Sequence, residues 1–198
     1  MSETLNIDKA ANRPPPSTEG EPAPGALELV RAFVNTRELD PDREELTDPG
    51  ALAAWLRGRE LPVGRALGEA DLSRAVEFRE AVRALLLANG GAALDPGAVA
   101  RLSEIAAQAP ARLEVGEDGS VDMGCSAQGV DALVVDVLAA IAAAQRTGEW
   151  ERLKACPADR CLWAFYDRSR NRSRHWCSMD VCGNRAKTRA YRAKRKGS

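Results

Sequence analysis

The sequence is poor in the residues that most enzyme active sites use. Its 198 residues include a single histidine, His175, and they contain neither a glycine-rich phosphate-binding loop nor a motif that pairs a nucleophile with a base. General acid–base and covalent catalysis both depend on such groups. We therefore expect that the chain is not an enzyme.

Long apolar runs are also missing. The most apolar stretch, residues 130–144, is shorter than the roughly 20 residues that cross a bilayer, and it contains Asp131 and Asp136. The N-terminus lacks the basic segment and apolar core of a secretory signal. These features predict a cytoplasmic protein with no membrane partner, in which thiols stay reduced.

The charge is nearly balanced overall but unevenly distributed. Residues 1–150 carry 14 Lys/Arg and 25 Asp/Glu, a net charge of −11, whereas residues 151–198 carry 14 and 4, a net charge of +10. Such an asymmetry indicates that the basic segment has an anionic partner.

The length of the chain allows one substantial domain and one small module.

Residues 1–25 are polar and rich in proline, which predicts a disordered tail. Apolar periodicity then predicts one mostly helical domain over residues 26–150. Asp48-Pro49 and Asp95-Pro96 each offer an N-cap followed by a proline at the first helical position. Helices are predicted to begin near residue 26 and at residue 49, and to span residues 69–89, 96–109 and 130–146.

A small β-hairpin is predicted within the same domain. Residues 112–115 and 120–123 are strand-like, and they flank the turn sequence Gly116-Glu-Asp-Gly119. The predicted fold class is therefore mostly α with a small hairpin, an α+β fold.

Four cysteines form two similar pairs near the C-terminus. Four residues separate Cys156 from Cys161, and four separate Cys177 from Cys182, with fifteen residues between the pairs. Paired thiolates on short loops suit a tetrahedral zinc ion, and reduced thiols favour a metal over two disulfides or four unrelated thiols. Four protein ligands indicate a closed, structural site for one zinc ion, with no position for a catalytic water.

Two other residues, His175 and Cys125, have weaker claims to a chemical role. His175 could replace a cysteine as a ligand, but we interpret it as a surface or supporting residue. The fifth cysteine, Cys125, stands alone and is interpreted as a small core or loop residue.

The segment 151–198 is predicted to fold as a treble-clef or ribbon-like zinc finger. Residues 162–166 are strand-like, residues 167–171 turn, and residues 174–176 return towards the second cysteine pair. A basic helix follows the last cysteine. Because so small a module buries little apolar surface, zinc would supply most of its folding free energy. Trp163 and Phe165 are expected in a small core around the metal.

The basic residues of this module form two series. Four arginines alternate in the turn and would project to one side if it stayed extended, and others recur at helical spacing after the last cysteine. Arginine fits phosphate oxygens, and Trp176 or Tyr191 could stack on bases, so the pattern favours DNA or RNA over a merely solvated basic face. The candidate nucleic-acid contacts are Arg168, Arg170, Arg172, Arg174, Arg185, Lys187, Arg189, Arg192 and Lys196.

Residues 166–187 resemble the CGNR zinc-finger family of bacteria, whose motif corresponds here to Cys182-Gly183-Asn184-Arg185. Upstream, Phe33-Val-Asn-Thr36 and Leu52-Ala-Ala-Trp-Leu56 resemble the opening of the ABATE domain that usually accompanies this finger. The resemblance covers about residues 26–196. It implies a stress-related transcription regulator, also described as RNA-binding, and it places the zinc ligands on the four paired cysteines.

The family motif also suggests local roles. Gly183 would leave room for the chain to turn at the metal, Asn184 would cap the following helix, and Arg185 would face phosphate or brace the cysteine loop. In the helical domain, Asn35 and Thr36 either point into a ligand pocket or end a helix. The acidic cluster at residues 40–45 is expected to be a solvated loop.

Two functions follow from these observations. In the leading hypothesis the finger binds nucleic acid, and the helical domain senses a signal or mediates association into a homo-oligomer. In the alternative, zinc scaffolds a basic surface for an acidic protein partner, which could be the chain's own N-terminal domain.

Overall fold

The computed structural model describes residues 21–124 and 127–196, so Cys125 and most of the proline-rich tail lie outside the described residues. The elements in chain order are α1 (Leu27–Val34), β1 (Arg37–Leu39), β2 (Asp42–Glu44), α2 (Pro49–Arg57), α3 (Glu69–Asn89), α4 (Pro96–Gln108), β3 (Arg112–Val115), β4 (Val121–Gly124), α5 (Val130–Thr147), β5 (Leu153–Ala155), β6 (Ala164–Tyr166) and α6 (Asn184–Lys196). A 3₁₀ turn precedes β5, and a π-helical turn, Met179–Gly183, precedes α6. The predicted α+β class is confirmed.

The local signals place the helix ends as expected. The carboxylate of Asp48 accepts a hydrogen bond from the N–H of Ala51 at 2.8 Å and begins α2, and Asp95 caps α4 through the N–H of Gly97 at 2.9 Å. Helix α5 ends at Gly148, which has φ of +70° and so occupies the left-handed region that glycine enters without strain. Short polar caps and one glycine therefore set these boundaries.

Helices α1, α3 and α5 pack around a common apolar core. Val30, Phe33, Phe78 and Leu133 are fully buried, and the rings of Phe33 and Phe78 lie 5.7 Å apart between centroids. Aromatic pairs at this separation add to the free energy gained from burial alone. The core thus forms where the apolar faces predicted from periodicity meet.

The same core extends into the two strands β5 and β6, which form an antiparallel pair with Leu153 opposite Tyr166. Leu153, Ala155, Ala164 and Tyr166 belong to the core cluster of the helices. The first strands of the finger are therefore packed on the helical domain.

Two buried polar side chains fix β6 against the helices. The Asn35 amide donates to the carbonyl of Ala164 at 2.9 Å and accepts from its N–H at 2.7 Å. The Arg83 guanidinium donates to the carbonyls of Leu162 and Val34 at 2.8 and 2.9 Å. Asn35 therefore joins the end of α1 to the finger, which is a larger role than ending a helix.

The strand predicted at residues 162–166 is present as β6, but the return segment predicted at residues 174–176 does not pair with it. β6 pairs with β5, which precedes the first cysteine, and residues 174–176 form no strand. The loop from β5 to β6 carries the first cysteine pair, and the second pair leads into α6. This order fits a treble-clef-like finger, and the class predicted from the sequence is confirmed.

The acidic cluster at residues 40–45 is solvent-exposed except for Glu44, which is half-buried. It is part of a hairpin of β1 and β2, in which Arg37 lies opposite Glu44. The carboxylate of Glu44 accepts two hydrogen bonds from the buried guanidinium of Arg79, at 2.7 and 2.8 Å. Within the described residues, no helix is long and apolar enough to cross a membrane.

Candidate metal centre and basic surface

The structure brings the four predicted cysteine ligands together. The sulfur atoms of Cys156, Cys161, Cys177 and Cys182 all lie within 4.8 Å of one another. The Cys161 and Cys177 sulfurs are 3.4 Å apart, and those of Cys177 and Cys182 are 3.7 Å apart. These separations exceed a disulfide bond of about 2.05 Å, so the cysteines are free thiols.

This donor set fits zinc. Four sulfurs about 2.3 Å from a tetrahedral zinc ion would be about 3.8 Å apart, close to the spacing found here. Without a cation the thiols cannot all ionise: hydrogen bonds from Cys161 and Cys177 lower the pKa of Cys156, whereas the pKa of Cys161 is raised, first by its hydrogen bond to Cys156. A divalent cation removes this conflict because it stabilises all four thiolates.

Short turns present each pair of thiols. In the first loop the N–H of Cys161 donates to the carbonyl of Ala158 at 2.8 Å, and the N–H of Cys156 donates to the carbonyl of Trp163 at 2.9 Å. In the second, the Ser178 hydroxyl accepts from the N–H of Val181 at 3.3 Å and begins the π-helical turn. Backbone hydrogen bonds therefore shape both cysteine loops.

A small apolar cluster surrounds the thiols. Phe165 and Ala158 are buried against Cys156 and Cys182, and Trp176 packs on the edge of this cluster. Phe165 thus lies where it was predicted. Trp163 does not belong to this cluster and instead lines two adjoining cavities.

A buried ion pair organises the loop between the cysteine pairs. The Lys154 ammonium donates to the carboxylate of Asp167 at 2.8 Å, and both side chains are more than nine-tenths buried. Asp167 also accepts from the N–H groups of Ser169 and Arg174, each at 2.9 Å. Burial alone would raise the pKa of Asp167, but these hydrogen bonds, led by that of Lys154, lower it to about 2. The loop is therefore folded round one ionised carboxylate.

The alternating arginines of this loop do not share one side, because the segment is a turn and not an extended strand. The guanidinium of Arg168 contacts Glu21 at 2.8 Å, while that of Arg174 lies over the Phe165 ring and donates to the backbone at Cys177. Arg172 has a φ of +52°, which reverses the chain, and Arg170 is exposed. Arg168 and Arg174 therefore point in different directions, and the four arginines do not form one extended row.

The basic residues after Cys182 do lie on one helix. In α6 the residues at 185, 189, 192 and 196 fall within a narrow arc, because steps of three and four residues return to the same face. Arg185, Lys187, Arg189 and Arg192 are all exposed. Arg185 pairs with Asp40 of the β1–β2 turn at 2.8 Å, and the side chain of Lys196 lies outside the described part of the chain.

The other residues of the motif have modest roles. A Cβ atom on Gly183 would meet the flexible side chain of Met179 at 2.8 Å, so the turn favours glycine only mildly. Asn184 does not cap α6: its amide donates back to the carbonyl of Asp180 at 3.1 Å. His175 is exposed and packs edge-on against Trp176, apart from the sulfurs.

The sequence alone did not reveal three features of this region: the Lys154–Asp167 pair, the contact of Asp40 with Arg185, and the position of Trp163. A lysine between two apolar residues of a short strand, as in Leu153-Lys-Ala155, is the one local signal of a buried charge. The other two features depend on residues more than 100 positions apart meeting in space.

Two family models match the sequence. The ABATE model, described as "Putative stress-induced transcription regulator", matches residues 18–148, and the CGNR zinc finger model matches residues 152–195. Their order agrees with the resemblance noted in the sequence. Among curated proteins, none matches the sequence significantly.

Proposed function

The chain belongs to the ABATE family and carries a CGNR zinc finger with one structural zinc ion. On this premise we propose that it regulates transcription by binding DNA or RNA through α6. The helical domain would sense a signal or mediate self-association. The protein would act without catalysis, since the zinc site has four protein ligands and no open position.

One observation carries this proposal: α6 is a basic helix with almost no burial. Of its 13 residues, seven are Lys or Arg and none is acidic. Every described side chain from Asn184 to Arg195 is exposed except that of Ala186, which is half-buried. A helix that is polar on all sides gains little from packing, and like charges at adjacent turns repel. A polyanionic partner would cover the exposed helix and reduce the repulsion between its basic side chains.

The geometry of the helix suits a phosphate backbone. The face from Arg185 to Lys196 extends over about 17 Å at the helical rise of 1.5 Å per residue. The π-helical turn that contains Cys182 leads directly into α6, so zinc holds the first turn of this helix. Tyr191 is exposed on the same helix, with the Arg195 guanidinium 5.9 Å from its ring centre, and its ring would stack on a base.

The first test replaces two arginines of this face, as Arg189→Ala with Arg192→Ala. We expect the full-length, zinc-loaded variant to bind labelled duplex DNA or an RNA stem at least about tenfold more weakly than the wild type at low salt. The slope of log Kd against log salt should fall by about two, because two fewer phosphate contacts release counterions. Fluorescence anisotropy across a salt series measures both quantities.

A control variant with the same loss of charge is Arg57→Ala with Arg146→Ala, since both arginines are exposed on the helical domain. It should retain wild-type affinity. Equal weakening in both double variants would show only a general charge effect, and absence of binding by the wild type at low salt would refute the proposal.

A specific observation also favours the alternative, a basic surface that docks on an acidic protein segment. Arg185 contacts Asp40, and Arg168 contacts both Glu21 and the carbonyl of Pro22. The finger thus already touches acidic groups of its own N-terminal region. Of these contacts only that of Arg185 involves α6, at its first turn, and Lys187, Arg189 and Arg192 form no ion pair among the described residues.

The variant Asp40→Asn separates the two functions. If the internal contact competes with nucleic acid, removing the Asp40 charge frees Arg185, and affinity should rise by about two- to fivefold at low salt. Asp42→Asn, on the adjoining strand, is the control because its partner is Arg37 and not the finger. Unchanged affinity in Asp40→Asn would show that the contact does not restrain nucleic-acid binding.

A further inference from the structure

Two adjoining cavities lie where the helical domain meets the finger. They have volumes of about 670 and 320 Å³. Both are lined by Glu21, Arg31, Glu38 and Trp163, so these residues mark the junction between them. The larger cavity extends past the end of α1 to Asn35 and Thr36. A ligand pocket is one of the two surroundings that the sequence predicts for these residues. Their combined space is within the range of small-molecule sites.

Glu38 is the unusual group at this junction. It is only 9% exposed, and among the residues that the structure describes its carboxylate accepts no hydrogen bond and forms no ion pair. Burial raises its pKa, and the charges of Asp40 and Glu45 raise it further, although Arg43 opposes this shift. The Glu38 side chain is largely buried, but its carboxylate oxygens are not fully buried and have no direct partner, so they are available to a bound cation.

The other acidic residues of the two cavities already have partners. Ion pairs of 2.7 to 3.5 Å join Glu28 to Arg31, Glu21 to Arg168, Asp40 to Arg185, and Glu45 to Arg43. Two arginines of the lining have no acidic partner among the described residues: Arg59 lies over the Trp55 ring at 5.3 Å, and Arg174 lies over the Phe165 ring at 4.9 Å. Among the described acidic residues of the lining, Glu38 is therefore the one whose carboxylate forms no ion pair within 4.0 Å, although it lies opposite Arg43 in the β1–β2 hairpin.

An aromatic surface adjoins this carboxylate. Three aromatic residues line the smaller cavity, and two of them already carry a cation: Arg174 lies over Phe165 at 4.9 Å, and Arg168 lies over Tyr166 at 5.4 Å. No described cation lies over Trp163, which is half-buried and contacts both cavities. A flat apolar group could pack there without displacing a protein contact.

We propose that this junction binds a small organic cation, in which an ammonium group contacts Glu38 and an aromatic or apolar body packs on Trp163. Such a cation would be the signal that the helical domain senses, and this regulatory role rests on the proposed function. The binding site does not depend on it, because residues of the helical domain and of the finger line the two cavities. Trp163 follows Cys161 by two residues and its carbonyl bonds the N–H of Cys156, so an occupant would touch the first zinc loop.

The test compares 2-phenylethylamine with 2-phenylethanol, which has the same body but no charge. Isothermal titration calorimetry of the full-length, zinc-loaded protein, without nucleic acid, should show at least about tenfold tighter binding of the amine. Glu38→Gln should abolish this preference while retaining the shape of the site. Glu45→Gln is the matched control, because it lines the larger cavity but is more exposed and already paired with Arg43; it should bind like the wild type.

The proposal is wrong if the wild type binds amine and alcohol equally, or binds no amine at about 1 mM. It is also wrong if Glu38→Gln keeps the preference, and thermal unfolding of each variant shows whether the fold is retained. Repeating the nucleic-acid titrations with amine present separates this site from the proposed function: amine binding without any nucleic-acid binding upholds the site and refutes the function. A changed nucleic-acid affinity supports sensing.

Discussion

The variant Cys182→Ser is expected to lose its zinc and the ordered structure of the two cysteine loops and α6, while β6 stays packed on the helical domain. Structural zinc supplies about 10–16 kcal/mol of apparent binding free energy in isolated fingers, and a serine hydroxyl does not replace a thiolate. Within the described residues, the cluster around the thiols contains only a few apolar side chains, among them Phe165 and Ala158. It cannot hold the two cysteine loops together alone.

Metal analysis by mass spectrometry should find about one zinc per wild-type chain and almost none in this variant. Hydrogen exchange should accelerate in the two cysteine loops and α6, while α3, α5 and β6 stay protected because their common core does not include the sulfurs. Nucleic-acid binding should fall with the metal.

The control is Cys125→Ser, which removes a cysteine that is not one of the four predicted ligands and should keep the zinc. A wild-type protein purified without chelator and free of zinc would contradict the metal assignment. So would a Cys182→Ser variant whose finger remains protected from exchange.

The variant Asp167→Asn is expected to lower the free energy of unfolding of the zinc-loaded protein by about 3–5 kcal/mol. Asp167 is fully buried, and its carboxylate compensates the Lys154 ammonium, which is only 6% exposed. The substitution leaves that ammonium with the carbonyls of Arg172 and Arg174 as its remaining acceptors. An unpaired buried charge accounts for most of the expected loss.

A double-mutant cycle with Lys154→Met distinguishes this pair from a general packing effect. The double variant should be less destabilised than the sum of the two single variants by at least about 1 kcal/mol, because the second substitution removes the stranded charge. Asp159→Asn, an exposed carboxylate in the first cysteine loop, is the control and should change stability by less than about 0.5 kcal/mol. Urea unfolding in zinc-buffered solution measures all four. Additive effects would show that Lys154 and Asp167 do not depend on each other.

Local chemistry was sufficient to predict the helices and the metal ligands. The bounds of α3 follow from an apolar face that stops at Asn89-Gly90, and α2 and α4 begin at Asp-Pro pairs whose carboxylates cap them. The cysteine spacing predicted the zinc site because two short loops present thiolates from nearby positions in the chain. Each of these signals acts within a few residues.

Strand pairing and the directions of the arginines could not be predicted in this way. β6 is three residues long, and its partner was decided by burial of Leu153 and Ala155 against α3 and by the Asn35 hydrogen bonds from α1. The alternation from Arg168 to Arg174 suggested one charged side, but Asp167 collects backbone N–H groups and folds the segment into a turn. A buried ion pair overrode the local pattern.

The sequence by itself determined the helical segments, the four zinc ligands and the basic character of α6, because capping, periodicity and ligand spacing are short-range properties. Only the tertiary structure decided that Arg185 meets Asp40, that Lys154 is buried against Asp167, and that Glu38 and Trp163 share a junction. Those contacts exist because the finger packs on the same core as the helices. The packing of the finger on this core decides which buried charges have a partner and which do not. Local sequence patterns do not contain this information, because the partners are far apart in the chain.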